Sequence, residues 1–186
     1  MPRASREDAE RHREEIIDAA SRLFREKGIE GVSVPELMAA VGLTHGGFYK
    51  QFKSKDALAA LAFERASTKI VGELRERIAA AAGTLEARQV FLDAYLAPEH
   101  RDNPAMGCVL SCLAGDLGRD SDQGLRDAFM RGMGRMIERL EAVEDPAPLA
   151  TLSTLIGAVA LSRATMGTPL SDEILDAVKD SLSTQK

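Results

Sequence analysis

Apolar residues recur at helical spacing along almost the whole chain, and no segment sustains an apolar–polar alternation. After a charged start, Ile16, Ile17, Ala20, Leu23 and Phe24 fall on one helical face. Lys27 and Gly28 end that helix, a basic last turn followed by a residue that tolerates positive φ. Ser33-Val34-Pro35-Glu36 has the spacing of a capping box, in which Ser33 accepts from the Glu36 N–H and the Glu36 carboxylate reaches back to Ser33. It opens a short helix running to Val41. Gly42 turns the chain, Thr44 caps a third short helix to about Phe52, and Ser54 caps a long fourth one over about 55–82. Further helices are expected from Thr84 to before Pro98, from Cys108 to Leu117, from Ser121 to Val143, over 149–166 and from Ser171 to about Leu182, with 98–104 as a loop. The fold class is therefore all-α, with about nine helices.

Composition agrees with this pattern. The 186 residues are 45% hydrophobic and 28% charged, and only 4% are aromatic, so Ala and Leu rather than β-formers fill the apolar positions. The net charge of −5 argues against a generally basic coat for nucleic acid, but it is unevenly placed. Residues 1–55 carry 10 Lys+Arg against 9 Asp+Glu, +1, whereas the remainder stands at −6. A local basic patch in the N-terminal third remains compatible with the acidic average. Cys108 and Cys112 are four apart on one helix and are expected to stay reduced. The charged run from Arg3 to Glu15 has no apolar core of a signal peptide, and the apolar stretch 149–166 is interrupted by Thr151, Ser153, Thr154, Ser162 and Arg163. A cytoplasmic protein without a membrane partner is expected.

Two short capped helices joined at Gly42 make a helix-turn-helix, in which the first helix braces a second that enters the DNA major groove. The second helix begins Thr44-His45-Gly46-Gly47-Phe48-Tyr49-Lys50. Adjacent glycines cost about 1 kcal/mol each in a helix and make sense where a backbone approaches another surface closely. Lys50, Lys53 and Lys55 cluster without an intervening acid, which suits phosphate neutralisation. Phe48 and Phe52, four apart, are assigned to the core rather than to DNA.

The run from Ser33 to Leu58, SVPELMAAVGLTHGGFYKQFKSKDAL, resembles the DNA-binding signature of TetR-family transcriptional regulators, and Ala19-Ala20 and Leu23-Phe24 before Gly28 extend the likeness to about residue 12. The resemblance implies a DNA-binding domain over 1–55 and a larger helical ligand-binding and dimerisation domain over 56–186. It places His45, Gly46 and Gly47 toward base edges, Thr44, Tyr49, Lys50 and Lys55 on phosphates, and Ser33 at the start of the bracing helix. Met38 stands where a smaller residue is commoner, which implies a wider helix–helix crossing. Of the tip, only His45 can hydrogen-bond a base edge, so DNA shape and thymine methyls gain weight.

The apolar helix 149–166 is too apolar all round for one side of a small domain to cover. Leu152, Leu155, Ile156 and Val159, with Ile174 and Val178 of the last helix, are therefore candidates for a homodimer interface. The resemblance further implies a small-molecule effector bound in the C-terminal domain. Phe91, Tyr95, Met106, Cys108, Phe129, Met130 and Met133 are candidates for its apolar pocket, and Gly132 and Gly134 allow either tight packing or a shift of their helix. Cys108, near a helix start, is also a candidate redox-responsive thiol of lowered pKa.

The expected function is that of a homodimeric repressor released from a palindromic operator on double-stranded DNA by a small molecule. An activator, a corepressor-dependent regulator and a helical ligand-binding or interaction module remain alternatives. An enzyme is not expected. The chain has no Gly-rich phosphate loop, nucleophile elbow or His-Glu-x-x-His, and His12, His45 and His100 lie in different segments, so neither a cofactor nor a metal is anticipated.

Overall fold

The computed structural model describes residues 6–117 and 122–184. Among them the regular structure is helical throughout: α1 (Arg6–Lys27), α2 (Val34–Ala39), α3 (Phe48–Gln51), α4 (Lys55–Ala79), α5 (Thr84–Tyr95), α6 (Pro98–Asp102), α7 (Val109–Leu113), α8 (Gln123–Ala142), α9 (Pro148–Ala164) and α10 (Pro169–Ser183). Gly28 and Gly42 take φ of +74° and +70°, the left-handed conformation that ends α1 and turns α2 toward α3. Ser33 Oγ accepts from Glu36 N–H at 3.3 Å and Ser54 Oγ from Ala57 N–H at 3.0 Å, so both expected caps form.

Several expected elements differ in detail. Thr44 has the extended backbone of a cap, but its side chain makes no capping bond, and the chain enters a 3-10 turn over His45–Gly47 before α3. Two consecutive glycines weaken an α-helical first turn, which accounts for the tighter geometry. The Glu36 carboxylate bonds chiefly to Lys27 Nζ at 2.5 Å, and this hydrogen bond holds the carboxyl below its usual range. The expected loop 98–104 folds into α6, opened by Pro98 in its first turn, followed by a 3-10 turn over Pro104–Met106. Pro169 likewise opens α10, ahead of the expected start at Ser171. Ser121, the expected start of α8, lies outside the described residues; Asp122 caps that helix by accepting from Gly124 N–H at 2.8 Å.

The long α4 packs along α1 on one side and α8 on the other. Gly132 permits the α4–α8 approach, because a Cβ there would sit 2.7 Å from the Phe63 ring, and Phe63 also meets Phe129 at 5.6 Å between centroids. Buried side chains of α1–α3, among them Phe24, Leu37, Phe48 and Phe52, belong to the same contiguous core as those of α5–α10. At the far end, Arg88 of α5 donates to Asp145 at 2.8 Å and to the Leu182 carbonyl at 2.9 Å. Asp145 in turn accepts from Ala147 N–H and Thr151 Oγ1. This buried pair ties α5, α9 and α10 together. Among the described residues no helix is long and apolar enough to cross a membrane.

Replacing Asp145 with Ala leaves the Arg88 guanidinium buried without its counter-charge. Urea denaturation is expected to show a loss of about 3–5 kcal/mol, far beyond that of an exposed carboxylate.

Candidate nucleic-acid interface

The outer tip of the helix-turn-helix is built from the 3-10 turn and α3. Phe48 and Phe52 face inward, their rings 5.5 Å apart, and leave the opposite side of α3 exposed. On that side lie Thr44, His45, Gly46, Tyr49 and Lys50, with Lys53 following. The Tyr49 ring stands 66% exposed, edge-on to both Phe48 and His45, so it is oriented without being covered. Ser33 is exposed at the head of α2 with its hydroxyl in the cap. Lys55 differs from the others: its side chain is only 23% exposed and lies 3.8 Å from Glu30.

The two glycines separate into different roles. A Cβ on Gly46 would meet nothing within 4 Å, whereas one on Gly47 would lie 3.3 Å from Met38 Cε. Met38 is buried, and its terminal methyl occupies the space that a side chain at 47 would need. The large residue on α2 and the missing side chain on the turn are complementary, so the crossing accommodates Met38 through Gly47. The signal was legible as a pair, an unusual Met opposite an unusual Gly, yet spacing alone does not bring them together. The register of α3 is further held by Arg13, which donates to the Gln51 carbonyl at 2.9 Å with its guanidinium 4.7 Å from the Phe52 ring centroid. Gln51 Nε2 returns a bond to the Ala9 carbonyl at 3.2 Å. Neither contact was anticipated from the sequence.

Residues 16–62 match the model of the bacterial regulatory proteins, tetR family. Over this segment the chain is similar to TetR-family regulators. It is 36% identical over 74 residues to the HTH-type transcriptional regulator AcrR of Shigella flexneri, covering 40% of this chain and 34% of that protein. It is 33% identical over 102 residues to the HTH-type transcriptional repressor Rv1474c of Mycobacterium tuberculosis, covering 55% and 50%. The chain thus spans between a third and a half of the length of these curated relatives. Among solved structures, a TetR transcriptional regulator from Chloroflexus aurantiacus J-10-FL superposes with a TM-score of 0.79 at 24% identity, over 95% of this chain and 94% of the other. That likeness extends the TetR-like fold beyond the helix-turn-helix.

Outside the tip, the chain holds a cavity of about 470 Å³ between α4, α5, α6, the segment leading into α7, and α8. Tyr95, Met106 and Cys108 line it, together with Leu74, Arg77, His100 and Met136, which the sequence reading did not single out. Phe91 is packed in the core behind Tyr95, Phe129 packs on Phe63, Met133 is half-buried against the core, and Met130 is 68% exposed; none of the four lines this cavity. Helical spacing placed Met130 and Met133 near one another without revealing that α8 turns Met136 inward instead.

The cavity floor is held neutral. Burial pushes the Cys108 thiol up, opposite to the expected lowering, because the helix it heads is only five residues long and the sulfur is desolvated. Burial also raises the Tyr95 phenol well above its ordinary value. His100 Nδ1 donates to the Tyr95 carbonyl at 2.5 Å, while Nε2 accepts from Cys108 N–H at 2.7 Å. Both nitrogens are consumed in one neutral tautomer. Burial, aided by the charge of Arg163, lowers the His100 pKa to about 4.

Of the proposed dimer residues, Leu152, Leu155 and Val159 are buried within the protomer, so they cannot also meet a partner. α9 packs on both α8 and α10 and turns these three residues toward them. Ile156, Ile174 and Val178 are half-buried against the core, and the outward side of α9 carries Leu149, Ser153, Ala160 and Leu161.

Gly46→Ala is expected to leave the thermal unfolding free energy within about 1 kcal/mol of wild type. Its added methyl points into open space at the tip, so any loss of DNA affinity in a binding titration isolates the surface role from folding. His100 provides a second test. Its folded pKa lies below the ordinary 6.5, so the unfolded chain takes up the proton first, and stability falls as pH drops from about 6.5 to about 4. Unfolding at several pH values is expected to show a loss of about 3 kcal/mol from this group, absent from His100→Gln.

Proposed function

We propose that this protein is a homodimeric DNA-binding transcriptional repressor, released from a palindromic operator by a small molecule. The observation that carries the reading is the tip of the helix-turn-helix: an exposed Thr44-His45-Gly46 edge, a supported but uncovered Tyr49 and the free-standing Lys50 and Lys53, all on one side of α3. A unit used only for internal packing gains nothing from exposing these groups together. The match of residues 16–62 to the tetR family model and the likeness to a repressor such as Rv1474c support the same reading.

In this reading Thr44, Tyr49, Lys50 and Ser33 hold phosphates, His45 faces a base edge, and Gly46 lets the backbone close on the groove. Lys55 contributes once DNA phosphate competes with the exposed Glu30 for its ammonium. The outward face of α9, with half-buried Ile156 and the α10 residues Ile174 and Val178, supports an isologous dimer in which two recognition helices stand about 34 Å apart. The cavity is the effector site. Its depth presents Leu74, Tyr95, Cys108 and Met136 without an ionised group, and Glu73, Arg77 and Glu99 stand at its exposed rim. That arrangement takes an uncharged apolar body whose polar end remains near solvent.

Selection of short duplexes from fragmented bacterial DNA by the purified protein tests this function. One enriched palindrome is the expected result, and no enrichment at low salt from a folded sample would reject it. On the enriched duplex, Tyr49→Ala and Lys50→Ala are expected to weaken binding to all sequences, with the salt slope of Lys50→Ala reduced by about 1. His45→Ala is expected to relax the base preference at one position of each half-site instead.

A further inference from the structure

The wall of the cavity and the DNA-binding helices share a single peptide unit. The carbonyl of Gly107 and the N–H of Cys108 belong to one rigid plane. On its carbonyl side Arg25 Nη1, from the last turn of α1, donates at 2.8 Å; on its amide side the N–H donates to His100 Nε2 at 2.7 Å. Arg25 is itself fixed, with Nε donating to the Ser21 carbonyl at 2.7 Å, so it cannot follow a displaced acceptor without moving α1. The plane also has no slack. Gly107 has an ordinary φ of −77°, yet a Cβ there would lie 2.8 Å from Arg163 Nη2 and 2.9 Å from the His100 ring. A second link lies close by, where Asp116 accepts from Ile29 N–H at 3.0 Å just beyond the end of α1.

We propose that Arg25 is the positioning residue that couples the cavity to the DNA-binding tip: an occupant pressing on His100 or Cys108 rotates the 107–108 peptide and pulls α1, and with it α3, out of register. The link from α1 to α3 is the pair of bonds that Arg13 and Gln51 make across those helices. This coupling rests on the reading of the cavity as the effector site.

A double-mutant cycle on DNA affinity tests it, with Ala94→Trp filling the cavity from α5 in place of an unidentified effector and Arg25→Met removing the donors while keeping bulk. Circular dichroism melting verifies that each variant is folded. Ala94→Trp alone is expected to weaken binding to the selected duplex about 5-fold or more, and to add nothing in the Arg25→Met background. Gly107→Ala, which displaces the peptide with the cavity empty, is expected to reproduce the loss. If Arg25→Met does not fold, Gly107→Ala takes its place in the cycle under the same criterion. An equal loss from Ala94→Trp in both backgrounds overturns the Arg25 coupling and leaves the effector site standing. No loss from Ala94→Trp in an otherwise wild-type, folded chain overturns both.

Discussion

A guanidinium buried in a protein interior has to find acceptors for its donors, and in this fold that constraint falls on Arg25. It is 7% exposed, and its acceptors are the Ser21 carbonyl, the Ser21 hydroxyl and the Gly107 carbonyl. Only the last lies outside α1, so the helix is satisfied by the loop before α7. The loop needs help in return, since it contains the 3-10 turn, a glycine and the head of a five-residue helix. Arg163 of α9 braces the elements on either side of it, donating to the His100 and Arg101 carbonyls of α6 at 2.8 and 3.0 Å and to Ser111 Oγ and Cys112 Sγ of α7 at 3.3 and 3.1 Å. Arg25 thus holds the segment itself, and Arg163 holds the helices at its two ends.

The central helix α4 is anchored asymmetrically by neighbouring residues. Glu64 accepts from Arg131 and Arg135 of α8, and Arg65 pairs with Glu14 and Asp18 of α1. Partly exposed pairs of this kind contribute little each, so orientation rather than bulk stability is what they add. The close contact is apolar, with Phe63 set against the gap left by Gly132. Ionic contacts choose the helix's neighbours, and packing sets the distance.

Much of this was legible from residue patterns. The turns at Gly28 and Gly42, the caps at Ser33 and Ser54, and the inward Phe48 and Phe52 follow from local chemistry, and all appear in the structure. The TetR-like signature carried the exposed tip. What stayed hidden depends on long-range partners. Gly47 is explained by Met38, Arg25 by Gly107 eighty-two residues away, and His100 by a carbonyl and an amide that only the fold brings to its two nitrogens. The fate of α9 was misjudged for a related reason. An apolar helix reads the same whether its partners are in its own chain or another, and here α8 and α10 cover Leu152, Leu155 and Val159.

The neutral floor of the cavity has a consequence for what kinds of signal the molecule can mix. Three ionisable side chains meet there, and burial moves each away from the middle of the pH scale: His100 downward to about 4, Cys108 and Tyr95 upward. Between mildly acidic and mildly alkaline conditions the floor therefore carries no changing charge. If the cavity takes the proposed effector, its floor meets that molecule through shape and apolar contact, and a modest swing in pH does not change the charge it meets there. Desolvation thus separates what the cavity floor can recognise from the pH around it.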